Sequence, residues 1–125
     1  HGCTDVTGFG LLGHAREMAL ASGVTLEIDA DKVRFLPGAV ECARRGAIPG
    51  GLNNNREFAS PCVDMGNKLA AEIVNLLYDP QTSGGLLIAL PEKGAEKMER
   101  EQAGAYRIGR VLPSGEKPIR VVGEI

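Results

Sequence analysis

Apolar residues recur at helical spacing over residues 9–22, where Leu11, Leu12, Ala15, Met18 and Ala19 share a face and Arg16 and Glu17 point elsewhere. Gly23 stands where such a helix stops. Residues 24–28 change period: Val, Thr, Leu, Glu and Ile alternate as in a half-buried strand. Asp29, Asp31 and Lys32 read as a turn, and Pro37 as the first turn of a short helix through Arg45, closed by Gly46. Residues 46–64 lose any period. With their glycines, two prolines and three consecutive asparagines they predict a long irregular loop, a feature that is usually functional or mobile in a compact domain. Helical spacing returns over 65–78 through Leu69, Ile73, Leu76 and Leu77. Residues 86–90 are an unbroken apolar run, expected as a short buried strand ended by Pro91. A charged surface helix follows over 92–102, then closing strands over 106–112 and 119–122 about the turn Pro113-Ser114-Gly115. Helices interleaved with strands predict an α/β or α+β layered fold.

At 125 residues the chain suits a single domain, 1–125, long enough to bury a sizeable core. Aromatics are only 4% and tryptophan is absent, so that core rests on Leu, Ile, Val and Ala. A net charge of −2 with mixed signs argues against a dedicated nucleic-acid binder, and Arg44-Arg45 reads as a solvated helix end. No apolar run approaches the roughly 20 residues of a membrane helix, and no signal-peptide pattern is present. Neither nucleic acid nor membrane is therefore expected as a partner. Cys3, Cys42 and Cys62 lack any C-x-x-C or Cys/His zinc spacing, and read as reduced thiols of a cytoplasmic protein. The chain opens His1-Gly2-Cys3-Thr4, without Met, directly into a Gly/Thr motif, and so reads as a piece of a longer protein.

Two glycine-rich motifs carry the candidate chemistry. In TDVTGFGLLGH, residues 4–14, Gly8, Gly10 and Gly13 bracket a helix start, where free amides favour an anion and glycines admit a close neighbour. Asp5 just ahead of it would either cap the helix or hold Mg²⁺, a cation that prefers oxygen ligands. In YDPQTSGGLLIAL, residues 78–90, Asp79-Pro80 stops the preceding helix. Thr82 and Ser83 then offer hydroxyls beside the unobstructed amides of Gly84 and Gly85. This is either a tight turn into a strand or an anion-binding concavity. His14 reads as a structural residue at the helix surface, since no nucleophile or carboxylate partner stands at fixed spacing. No G-x-G-x-x-G follows a strand and no Walker lysine motif is present, which disfavours dinucleotide and P-loop sites.

Together, DVTGFGLLGH at 5–14 and DPQTSGGLL at 79–87 resemble the two signatures of the C-terminal half of the selenophosphate synthetase (selenide, water dikinase) family. LPG at 36–38, GAIPGG at 46–51 and FAS at 58–60 fit the same order. The resemblance implies an aminoimidazole ribonucleotide synthetase-like C-terminal domain: a mixed sheet covered by helices, with partly ferredoxin-like topology. The N-terminal ATP-binding domain of the two-domain enzyme would be absent. It further implies a Mg²⁺-dependent reaction of ATP, selenide and water that gives selenophosphate, AMP and phosphate, and a homodimer at full length. Matched to the family motif, Asp5 is the implied metal ligand. Thr7 and Gly8 would shape the cleft edge, and Thr82, Ser83, Gly84 and Gly85 would lie at the interdomain face toward substrate or phosphate. The family's catalytic nucleophile matches none of Cys3, Cys42 and Cys62, so no catalytic residue is expected in this piece and it should be inactive alone. Two alternatives stay open: another ATP-dependent enzyme of the superfamily, from purine synthesis or hydrogenase maturation, and a non-catalytic α/β binding or interaction module.

Overall fold

The computed structural model of the chain describes residues 2–124; His1, which opens the sequence, lies outside them. Strand β1 (Gly2–Asp5) leads into helix α1 (Gly10–Ser22), and Gly23 closes that helix in the left-handed conformation, φ 64°. Strand β2 (Val24–Asp29) follows, then a 3-10 turn (Ala30–Lys32) in which the Asp31 N–H donates to the Asp29 carboxylate at 3.0 Å. Helix α2 (Ala39–Arg44), helix α3 (Gly50–Ala59), strand β3 (Val63–Met65) and helix α4 (Ala71–Leu77) form the middle of the chain. Strand β4 (Leu86–Ala89), helix α5 (Glu92–Glu101) and strands β5 (Gly109–Pro113) and β6 (Ile119–Val122) complete it.

The strands form two sheets. Four of them lie in the order β3-β6-β2-β5, with β2 and β3 parallel to β6 and β5 antiparallel to β2. β1 and β4 make a separate antiparallel ribbon. The fold is therefore the expected α/β arrangement of helices on a mixed sheet. Helix α1 is its centre, touching β1, β2, β6, α3 and α4. Its Leu12, Ala15 and Ala19 are sealed from solvent together with Leu52 of α3, Leu77 of α4 and Ile119 of β6. Burying each of these leucine and isoleucine side chains supplies about 1.5–3 kcal/mol, which holds the α1 start, and hence the first glycine motif, against the body of the domain.

Four expectations need correction. Residues 46–64 are not an irregular loop: α3, a 3-10 turn (Ser60–Cys62) and β3 occupy most of them. Leu52, Asn55 and Ala59 recur at helical spacing on the inner face of α3, and this tertiary contact outweighs the weak helix propensity of Gly-Gly-Leu-Asn-Asn-Asn. The helix expected over 65–78 begins only at Ala71, because Val63–Met65 pair with β6 and the Gly66 N–H donates to the Val121 carbonyl at 3.1 Å. Pro37 lies outside α2, whose N-cap is Gly38 at φ 84°. Finally, β4 is not buried. Among the described residues its only partner strand is β1, and its alternate residues Leu86 and Ile88 are 61% and 39% exposed, while Leu87 packs on the core.

Candidate functional site

The two glycine motifs, remote in sequence, are laced together by backbone hydrogen bonds. The ribbon register places Cys3 opposite Ile88 and Asp5 opposite Leu86. Side chains alternate across a strand, so Cys3, Asp5, Leu86 and Ile88 share the exposed face. Pairing continues beyond the strands. The Val6 N–H donates to the Gly85 carbonyl at 2.9 Å, and the Gly84 N–H donates to the Val6 carbonyl at 2.9 Å. The Thr7 carbonyl accepts from the N–H groups of both Gln81 and Gly10 at 3.0 Å. Asp5, Thr7 and Gly8 thereby stand beside Thr82, Ser83, Gly84 and Gly85, and all seven are exposed.

Two glycines make this lacing possible. Gly10 opens α1 at φ 74°, and a Cβ there would lie 2.8 Å from the Asp79 carbonyl oxygen and 2.9 Å from that of Tyr78. A Cβ on Gly84 would lie 2.7 Å from the Val6 carbonyl oxygen. Gly10, expected to admit a close neighbour, thus admits the second motif, whereas the Gly84 amide is not unobstructed as expected, because it is spent on the Val6 carbonyl.

Helix α1 takes no side-chain cap: its N-cap is Phe9, and Asp5 belongs to the preceding strand. Among the described residues no ion pair or hydrogen bond engages the Asp5 carboxylate. The hydroxyls of Thr82 and Ser83 likewise have no partner among them. His14 is not at the surface but 8% exposed, with Nε2 3.1 Å from the Thr7 hydroxyl and its ring 5.4 Å from that of Phe9. Its Nδ1 is buried without a hydrogen-bond partner among the described residues. Phe9 and Phe58, both partly exposed, stack at 5.5 Å, with the Arg16 guanidinium 4.4 Å above Phe58.

Sequence reasoning missed Asn55, which it consigned to a loop. From α3, only 7% exposed, its Nδ2 donates to the carbonyls of Gly8 and Tyr78, each at 2.9 Å. The signal available was the spacing of Leu52, Asn55 and Ala59, obscured because asparagine is ordinarily a turn residue. Beside it, Arg56 bonds Asn75 and sits 5.5 Å from the Tyr78 ring. Burial raises the Tyr78 pKa, with the Arg56 charge opposing, and burial pushes the Asp79 carboxyl above its ordinary value.

No three His, Cys, Asp or Glu side chains cluster as a metal site among the described residues. Asp5 fits a Mg²⁺ ion as a single exposed carboxylate ligand, and that ion commonly takes only one or two carboxylates beside phosphates and water. The three cysteines are free thiols, Cys3 and Cys42 exposed and Cys62 partly buried, and no helix of the described residues is long and apolar enough to cross a membrane.

Comparison with known proteins agrees with the motif pair. The chain is 45% identical over 123 residues to the selenide, water dikinase of Clostridium botulinum (strain Eklund 17B / Type B), spanning 95% of this chain and 36% of that protein. It is 45% identical over 126 residues to the selenide, water dikinase of Caldanaerobacter subterraneus subsp. tengcongensis, with the same 95% and 36% coverage. That of Pelobacter propionicus is 43% identical over 125 residues, covering 100% of this chain and 33% of the relative. The chain thus spans about a third of the length of these relatives. The family model "AIR synthase related protein, C-terminal domain" matches residues 1–122, and the chain belongs to that family.

Proposed function

We propose that the chain is the C-terminal domain of a selenide, water dikinase, which makes selenophosphate from ATP, selenide and water and releases AMP and phosphate. The observation that carries this reading is the lacing of the two signature motifs into one exposed edge bearing Asp5, Thr7, Gly8 and Thr82 to Gly85. Its relatives bear the dikinase name. An N-terminal ATP-binding domain would complete the cleft, in a cytoplasmic enzyme that is homodimeric at full length.

Mg²⁺, when bound, neutralises the polyphosphate and stabilises the charge that develops in phosphoryl transfer. Asp5 would hold it with one carboxylate, helped by groups outside this chain. Thr7 and Gly8 would shape the wall next to it, and the Thr82 and Ser83 hydroxyls with the Gly84 and Gly85 edge would face substrate or phosphate. Since Asp5 alone cannot enclose the metal and the family's nucleophile matches none of Cys3, Cys42 and Cys62, the 125-residue chain alone is expected to be inactive.

The test is ATP- and selenide-dependent formation of selenophosphate by the enzyme carrying this domain, followed by phosphorus NMR. Asp5→Asn should abolish Mg²⁺-dependent turnover and leave the circular dichroism spectrum unchanged. Near-parental turnover would remove Asp5 from the site, and turnover by the 125-residue chain alone would refute its dependence on a second domain.

A further inference from the structure

We propose that Asn55 is a positioning residue of this site, one amide nitrogen that clamps the two signature motifs into a fixed relation. The inference rests on the dikinase reading above. Asn53 and Asn54 are exposed, whereas Asn55 shares the buried face of α3 with Leu52 and Ala59, where an apolar residue would pack. A buried amide is unfavourable unless its hydrogen-bonding capacity is used. Here both N–H groups of one nitrogen find acceptors at 2.9 Å, one in each motif: Gly8 in the first and Tyr78, directly ahead of Asp79-Pro80, in the second.

The position of Asp5 relative to Thr82–Gly85 is set at one end by the Val6–Gly84 and Val6–Gly85 hydrogen bonds. Asn55 sets the other end, past Thr7, where the chain turns into α1. Serine would supply one donor and so reach one motif at a time. Aspartate would turn a carboxylate toward two carbonyl oxygens. Position 55 acts on metal and phosphates only through the motifs it holds, so the effect should appear in how well Mg²⁺ and substrate are held.

In the full-length enzyme, Asn55→Asp and Asn55→Ser would be compared with the exposed-face control Asn53→Ala, well below each variant's melting temperature. Asn55→Asp should raise the Mg²⁺ concentration for half-maximal rate and lower kcat, each by about tenfold or more. Asn55→Ser should fall between it and the parent, which keeps the proposal testable if the aspartate variant does not fold. Amide hydrogen exchange should quicken at Gly10, Gln81 and Gly84 while β2 and β6 stay protected. Asn53→Ala should match the parent. A lowered melting temperature with unchanged Mg²⁺ dependence, kcat and exchange at those amides would overturn the positioning role alone. A parent enzyme that makes no selenophosphate would overturn the dikinase reading, and the positioning role with it.

Discussion

Replacing Gly10 by alanine tests whether the two motifs are rigidly seated against each other. At φ 74° an alanine first incurs the left-handed conformational cost, about 1–2 kcal/mol. Its Cβ would also stand 2.8 Å and 2.9 Å from two successive carbonyl oxygens, those of Asp79 and Tyr78. These are backbone atoms, and Tyr78 is anchored by Asn55, so they cannot swing aside as a side-chain tip would. Overpacking of this kind adds about 1–3 kcal/mol. The sum is about 3 kcal/mol, and with a urea slope of about 2 kcal/mol per molar the unfolding midpoint should fall by about 1.5 M. Gly46→Ala separates the two contributions. Gly46 has a φ of 82° but nothing lies within 4 Å of where a Cβ would stand, so only the conformational cost applies and the midpoint should fall about half as far. Gly8→Ala, with neither feature, should be near neutral. Equal losses at Gly10 and Gly46 would refute the close seating of the motifs.

Two further outcomes follow from the same geometry. Burial raises the Asp79 pKa above its ordinary 3.8, so the folded state holds that proton more tightly than the unfolded chain. Ionisation at Asp79 therefore lowers stability as pH rises through this window; Asp79→Asn should raise the urea midpoint at pH 7, with the gain vanishing below pH 3.8, and no gain at pH 7 would refute it. The Thr25 hydroxyl donates to the Lys117 carbonyl at 2.9 Å and accepts from the Gly115 N–H at 2.8 Å, pinning the β5–β6 connection. Thr25→Val should cost about 2 kcal/mol by urea titration, and a loss under about 0.5 kcal/mol would show that water replaces both bonds. The Asp5 and Asn55 substitutions described above probe the site itself.

Much of this was legible from periodicity. The helix over residues 9–22, its Gly23 stop, the alternating strand after it and the charged helix near the C-terminus all stand where side-chain spacing puts them. These elements are local: each is specified by its own pattern. What was lost is tertiary. Asn53-Asn54-Asn55 signals a turn until Asn55 is seen to have two carbonyls waiting for it, and Val63 to Met65 shows its strand only when β6 is beside it. The buried run expected at 86–90 failed for the opposite reason. An unbroken apolar stretch implies cover on both faces, and this ribbon receives cover on one. Both motifs could be named from the chain, but not that they are hydrogen-bonded to each other. No spacing rule connects Val6 to Gly84 and Gly85.

The ribbon also imposes a rule of parity on which side chains this edge presents. Asp5 faces outward only because it is an even number of residues from Cys3 and is paired with Leu86, and a slip of one position exchanges every inward and outward residue of a strand. One residue inserted between Asp5 and Val6, whose backbone is held by Gly84 and Gly85, would leave the four-stranded sheet and the buried face of α1 untouched, yet would move the Asp5 carboxylate to the inward position of Thr4. Under the role proposed for Asp5, chain length at this point is thus constrained by the direction of one side chain rather than by stability.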